Sequence, residues 1–230
     1  MKFGVITFPG SNCDQDMVYV LKTILGQAVE ELWHKDTSLK NCDAIVLPGG
    51  FSYGDYLRSG AIARFSPIMN EVIQHANNGG IVIGICNGFQ ILCESELLPG
   101  ALLHNNNQKF ICKNTWLKPQ STTASITKNL NPNGVYKIPI AHAEGRYHAD
   151  DKTLKELNKN DQVLFRYCDQ AGNINSESNP NGSCENIAGI TNKEKNVFGM
   201  MPHPERAADE SLKNTDGRAL FESLLNLVTS

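Results

Sequence analysis

The chain has 230 residues, with 21 basic and 24 acidic side chains, a formal net charge of -3, 40% hydrophobic and 20% charged residues. This composition is globular, with enough chain to bury a substantial core, and it excludes extended disorder. No long run of one charge provides a footprint for nucleic acid or an anionic membrane, and no apolar run approaches the ~20 residues of a membrane-spanning helix.

Residues 2–8 read as a first buried strand, entered without a signal-peptide cleavage pattern and ended by Pro9-Gly10. Ser11 and Asn12 offer caps for an amphipathic helix carrying Met17, Val18, Leu21, Ile24 and Leu25, which Gly26 terminates. Strands follow at 28–33 and 44–47, the latter stopping at Pro48-Gly49-Gly50. An irregular loop over 51–57 leads to a helical region at 59–77, interrupted near Pro67. The uninterrupted run Ile81-Val82-Ile83 then has the character of a fully buried parallel strand.

Beyond Pro99 the pattern changes to shorter strands at 109–117, 121–127 and 135–141, some of them antiparallel, separated by polar turns. A helix at 150–159, strands at 162–169, 185–191 and 196–201, and a final helix at 216–228 complete the chain. Leu220, Phe221, Leu224, Leu225 and Val228 share one face of that last helix. The expected fold is α/β: a mostly parallel central sheet with helices on both faces, in three layers, plus a smaller antiparallel strand region. No linker or internal repeat divides the chain, so one domain over 1–230 is expected.

The most informative stretch is Gly84-Ile85-Cys86-Asn87-Gly88-Phe89-Gln90. A buried strand, a cramped turn with small flanking residues and a helical pattern make a nucleophile elbow with cysteine at its tip. A residue opening a helix meets unpaired amides and the positive end of the helix dipole, which favour an anionic sulfur. The Asn87 amide is placed to meet an oxyanion formed on a carbonyl that Cys86 attacks, and Gly50 supplies a second amide from the glycine-rich wall at 48–55. The other reading is a buried cysteine in an ordinary strand-to-helix turn, against which the two glycines speak.

A thiol nucleophile needs a base and a group that orients it. Met201-Pro202-His203-Pro204-Glu205-Arg206 follows the last predicted strand, and each proline biases the preceding residue toward extended backbone. His203 as base and Glu205 as its orienter give a triad in the order Cys, His, Glu. Sites in parallel sheets lie at the carboxyl ends of strands, which brings Cys86, Gly50 and His203 together. His142 also follows a predicted strand and is a candidate for the cleft wall. The seven cysteines are scattered and form no Cys-x-x-Cys pair, so neither a disulfide framework nor a zinc site is expected, and reduced thiols in a cytoplasmic protein are.

With these residues assembled, the chain resembles the class I (triad-type) glutamine amidotransferases. Gly84 through Gln90 match the family's nucleophile motif and His203-Pro204-Glu205 its base and orienter. A narrower resemblance, to the stand-alone glutaminase subunits of phosphoribosylformylglycinamidine synthase, rests on five blocks spanning nearly the whole chain. They are residues 9–14, 48–63 (PGGFSYGDYLRSGAIA), the Cys86 motif, 142–147 and 201–206. Ala143 departs from the glycine expected in a His-Gly-Glu-Gly-Arg-Tyr block, a small-for-small change.

The resemblance implies hydrolysis of L-glutamine through Cys86, His203 and Glu205, with substrate contacts at Gly50, Phe51, Asn87, Gln90 and His142. It also implies ammonia delivery to a large synthetase subunit, with a small accessory subunit in the complex. ATP and magnesium belong to the synthetase: Gly-x-x-x-x-Gly-Lys-[Ser/Thr] is absent here, and no cofactor or metal is expected on this chain. The loop 53–58, with two tyrosines and Arg58, is the expected docking surface. The rival readings are a glutaminase feeding a different synthetase, a cysteine peptidase or related hydrolase on a similar sheet, and a non-catalytic regulatory module.

Overall fold

The computed structural model describes residues 1–226. Eleven strands form along the chain: β1 (Lys2–Thr7), β2 (Ala28–Trp33), β3 (Ala44–Leu47), β4 (Ile81–Ile85), β5 (Ala101–Leu103), β6 (Ile111–Pro119), β7 (Tyr136–His142), β8 (Arg146–His148), β9 (Val163–Cys168), β10 (Ile187–Thr191) and β11 (Val197–Met200). The helices are α1 (Asp14–Tyr19), α2 (Ile68–Asn77), α3 (Asn87–Glu94), α4 (Asp151–Lys159) and α5 (Arg218–Leu225). Nine strands make one sheet in the order β2-β1-β3-β4-β11-β10-β9-β6-β7, and β5 pairs with β8 in a separate antiparallel ribbon.

Strands β2, β1, β3, β4 and β11 run parallel to one another. Their cores are continuous apolar runs: every residue of β3 and β11 is buried, because layers cover both faces. From β1 the chain steps to β2 on one side and returns to β3 on the other. Right-handed crossovers then place α1 and α2 on opposite faces and open a crevice at the carboxyl ends of β1 and β3. Ser11 and Gly50 form an isolated bridge across that crevice. Past β11 the same sheet turns antiparallel through β10, β9, β6 and β7. The edge strand β7 nevertheless returns to the carboxyl-end crevice, where the His203 amide donates to the Pro139 carbonyl at 2.8 Å.

Several local expectations are corrected. The cap of α1 is Cys13 without a side-chain bond; the Ser11 hydroxyl accepts the Phe8 amide instead, and Asn12 is engaged with the Cys13 thiol. After Tyr19 the helix widens into a π-helical turn, Val20–Ile24. Residues 59–67 form turns and one short 3-10 segment, Ala63–Phe65, and the α-helix begins only after Pro67, whose ring suits a first turn.

Residues 121–127 are not a strand. The Ser121 hydroxyl accepts the Ala124 amide and the Thr127 hydroxyl donates to the Ala124 carbonyl, local bonds that compete with a ladder. The β5–β8 ribbon carries no clear signal in the sequence pattern. The last helix is shorter than expected, burying Leu220, Phe221 and Leu224, and Val228 lies outside the described residues. Among the described residues no helix is long and apolar enough to cross a membrane.

Candidate active site

Strand β4 lies between β3 and β11, and its end delivers Cys86 to the middle of the crevice. Cys86 has φ 50° and ψ -105°, a strained conformation for a residue with a Cβ. The strain is held by close packing on both sides. A Cβ on Gly84 would lie 2.6 Å from the Gly88 carbonyl oxygen, and one on Gly88 would meet the Leu47 carbonyl, its carbon at 2.6 Å. The two glycines therefore serve to seat α3 directly on β3 and β4, which forces the turn at Cys86. Cys86 is 5% exposed, and its sulfur lies 3.7 Å from the Ala141 carbonyl of β7.

His203 follows β11 in non-helical backbone (φ -101°, ψ 87°), held between Pro202 and Pro204. A 3-10 turn, Pro204–Ala207, folds Glu205 back so that its Oε1 lies 2.5 Å from His203 Nδ1. Both side chains are buried, and neither His203 Nε2 nor Glu205 Oε2 has a hydrogen-bond partner in the protein. Burial alone would push the His203 pKa down. The Glu205 carboxylate, with the nearby Cys86 and Cys13 sulfurs as smaller influences, outweighs it, and the imidazole sits well above its ordinary 6.5. The buried carboxylate thus favours the charged form of His203 beside the sulfur.

A small cavity of about 50 Å³ opens at the sulfur, lined among others by Gly50, Phe51, Asp55, Gln90, His142 and Glu144. That is room for about one or two water molecules. A larger cleft of about 300 Å³ lies beside Trp116 and Cys168, on the antiparallel half of the sheet. The loop itself carries left-handed backbone at Tyr53, Gly54, Asp55 and Leu57.

Asn87 organises the cavity floor: its side chain accepts the Ser52 amide at 3.2 Å and donates to Gln90 Oε1 at 2.9 Å. Gln90 in turn donates to the Glu144 carbonyl. Phe51 is 43% exposed and pairs with Phe110 at the mouth.

His142 is buried, and burial with the nearby His203 charge lowers its pKa to about 4. Its Nδ1 lies 3.0 Å from Asn105 Oδ1. Asn105 Nδ2 donates to the carbonyls of His142 and Lys109, which fixes Oδ1 as the acceptor toward the ring. By this network Nδ1 carries the proton, and His142 Nε2 is an acceptor with no partner.

A profile described as CobB/CobQ-like glutamine amidotransferase domain matches residues 1–223. The chain belongs to this amidotransferase family. It is 57% identical over 225 residues to a phosphoribosylformylglycinamidine synthase subunit PurQ of Koribacter versatilis, covering 98% of this chain and 97% of that one. A protein of the same name from Moorella thermoacetica is 56% identical over 226 residues, 98% of this chain and 96% of that one. A solved structure of PurLQS from Thermotoga maritima matches with TM-score 0.86 and 41% identity, covering 99% and 98% of the two chains. Another glutamine amidotransferase of Thermotoga maritima, at TM-score 0.54 and 14% identity over 98% and 90% of the two chains, shares the fold alone.

Within this amidotransferase chain the structure brings all eight candidate residues to one crevice and adds three that sequence reasoning left without a role in the site. Cys13 lies behind the base, its sulfur 3.1 Å from Arg206 Nη2, and its ligand atom is within 4.8 Å of those of His203 and Glu205. The sequence separation of 190 positions hid this cluster from any spacing rule. The guanidinium beside the sulfur and the His203–Glu205 bond make it packing support for the His203 ring rather than a cation site. Asn105 and Asp55 are the others. Asp55 belongs to the 48–63 block, and only the cavity reveals where its carboxyl stands.

Proposed function

We propose that this chain is the glutaminase subunit of a phosphoribosylformylglycinamidine synthase. The carrying observation is the strained Cys86 elbow facing a buried, charged His203–Glu205 pair, in a chain that matches curated subunits of that name over nearly their whole length. Cys86 attacks the side-chain carbonyl carbon of L-glutamine, and the amides of Asn87 and Gly50 stabilise the tetrahedral oxyanion. His203 gives its proton to the leaving nitrogen, and ammonia departs from a glutamyl thioester. His203 then takes a proton from water as it attacks the thioester, and the carbon–sulfur bond breaks to release glutamate and free the Cys86 sulfur, with His203 protonated again as at the start. Glu205 acts only through His203, holding its ring and stabilising its charge.

Ammonia passes to the large synthetase subunit, which uses ATP and magnesium to convert formylglycinamide ribonucleotide to the amidine, with a small accessory subunit in the assembly. This chain needs no cofactor of its own and works in the cytoplasm. The face that meets the synthetase is the exposed loop at the cavity mouth, where Tyr56 is 72% and Leu57 82% exposed beside Phe51 and Phe110. Arg58, expected among the docking residues, is exposed and is bound to Glu94 by two hydrogen bonds of 2.7 and 2.8 Å. That pair ties the loop to α3 and holds Arg58 at its exposed face. Docking on so strained a loop is a natural trigger for opening a cavity too small for glutamine.

Reconstitution with the synthetase tests the reading. Cys86→Ser should abolish amidine formation from glutamine while leaving formation from added ammonium salts intact. Glutamine-dependent product from the Cys86→Ser complex contradicts it, as does failure of the wild-type chain to support synthesis from glutamine.

A further inference from the structure

The cavity beside Cys86 presents one carboxylate without an ion-pair partner, a second beside it, and one ring nitrogen with no hydrogen-bond partner. Asp55 stands on its wall and takes part in no salt bridge among the described residues. Asn87 Nδ2 approaches its carboxyl only to a long 3.4 Å. Burial, with Glu144 close by, pushes the Asp55 carboxyl up to about 6 even though the Ser59 hydroxyl donates to it. Glu144 is better satisfied, with the Ser59 amide at 3.2 Å and exposed His104 at 3.3 Å. The third acceptor is independent of the carboxylates: His142, 3% exposed, lines the same cavity with Nε2 unpartnered. The neighbouring amide donors are already used, Gln90 Nε2 on the Glu144 carbonyl and Asn87 Nδ2 on Gln90 and Asp55. Such a lining suits a ligand that brings a cationic donor.

We propose that Asp55, flanked by Glu144, is the subsite for the α-ammonium group of the amino acid whose side-chain amide Cys86 attacks. The inference rests on the glutamine reading above and adds how the site selects its substrate. An ammonium group supplies the counter-charge that Asp55 lacks, and removing water from an unpaired carboxylate is costly without one. A substrate with a free α-amine is thereby chosen over simple amides and over glutamine side chains within proteins, whose α-nitrogen is acylated and uncharged. Because Asp55 rides on the strained loop 53–57, the subsite and the loop move together.

The test compares two alkylating agents on the full chain in complex with its synthetase subunit. One is a diazoketone analogue of L-glutamine, which carries the α-ammonium group; the other is iodoacetamide, which has none. Modification of Cys86 is followed over time by peptide mass spectrometry in wild type and Asp55→Asn. The diazoketone rate should fall by about 30-fold or more in the variant, as for loss of one partner of a desolvated charge pair, while the iodoacetamide rate stays within about two-fold. An unchanged diazoketone rate overturns the proposal, and so does an equal fall with both reagents, which would mark Asp55 as mere support for the thiol. A wild-type protein that the diazoketone does not label at Cys86 overturns the glutamine reading itself, a different result from either.

Discussion

Glu205→Gln is the sharpest perturbation of the proposed base. The change is isosteric, and the new side-chain oxygen still accepts from His203 Nδ1 at the observed 2.5 Å, but the negative charge is gone. His203 is fully buried, and burial by itself lowers its pKa; Glu205 is the largest influence holding it up. Without the carboxylate the imidazole loses the proton that the leaving nitrogen needs, and its amide partner can stabilise the wrong tautomer. The analogous loss in acid-base triads lowers kcat by about 10³–10⁴-fold, some 4–5 kcal/mol of transition-state stabilisation. KM should change by only a few-fold, because Glu205 lies behind the histidine and does not line the cavity at the sulfur.

Stability provides a second readout with a definite sign. A histidine raised in the folded state contributes stability that is fully present below its unfolded value of about 6.5 and is lost as pH rises through the folded value. Denaturant titrations should therefore show Glu205→Gln destabilised more at about pH 5.5 than at about pH 8.5. Glutamate release by the reconstituted complex, measured across pH, and those titrations check both halves. A variant within about ten-fold of wild-type kcat, or one equally destabilised at both pH values, refutes the reasoning.

Three further outcomes are expected. Gly88→Ala forces a Cβ against the backbone of Leu47, which no side-chain rotation relieves, and should cost about 3 kcal/mol, lowering Tm by roughly 6–12 °C in calorimetry. His142, held at about 4 against 6.5 unfolded, is charged in the unfolded chain before it is charged in the fold, so its contribution falls by about 3 kcal/mol as pH drops from 6.5 to 4. His142→Gln should flatten that acid limb in urea titrations at a series of pH values, and an unchanged slope would show that the buried ring does not resist protonation. Asp55, raised to about 6 from 3.8, disfavours the fold increasingly as pH rises through that window. Discounted for its partial exposure, Asp55→Asn should stabilise the free chain by about 1 kcal/mol above pH 7, a Tm gain of roughly 2–4 °C, despite impairing substrate capture.

Much of the parallel half was legible because its strands are short buried runs with hard stops. Ile81 to Ile83 and Ala44 to Leu47 are apolar throughout and end at glycine or proline, so the carboxyl ends that carry Cys86 and Gly50 could be placed from pattern alone. The His203–Glu205 pair was legible for a partly different reason than the one that holds it. Proline keeps His203 out of helix as expected, but a 3-10 turn rather than extended chain brings Glu205 back.

Segments without that punctuation are harder to read. Residues 121–127 alternate like a strand, yet their hydroxyls bond locally and to Asp161. Residues 59–67 have helical composition, but the chain there is tied to other elements, with the Ser59 amide bonded to Glu144 and Arg58 to Glu94. Cys13 and Asp55 acquire meaning only from tertiary contacts, and no local spacing encodes a neighbour 190 or 89 positions away.

Hydrolysis by the proposed route passes through a covalent glutamyl group at one sulfur. Complex turning over L-glutamine, quenched in acid and digested, should carry a glutamyl thioester on the Cys86 peptide and on none of the peptides holding Cys13, Cys42, Cys93, Cys112, Cys168 or Cys184. The adduct should vanish in Cys86→Ser. A glutamyl group on another cysteine, or glutamate release that persists in Cys86→Ser, would contradict the assignment.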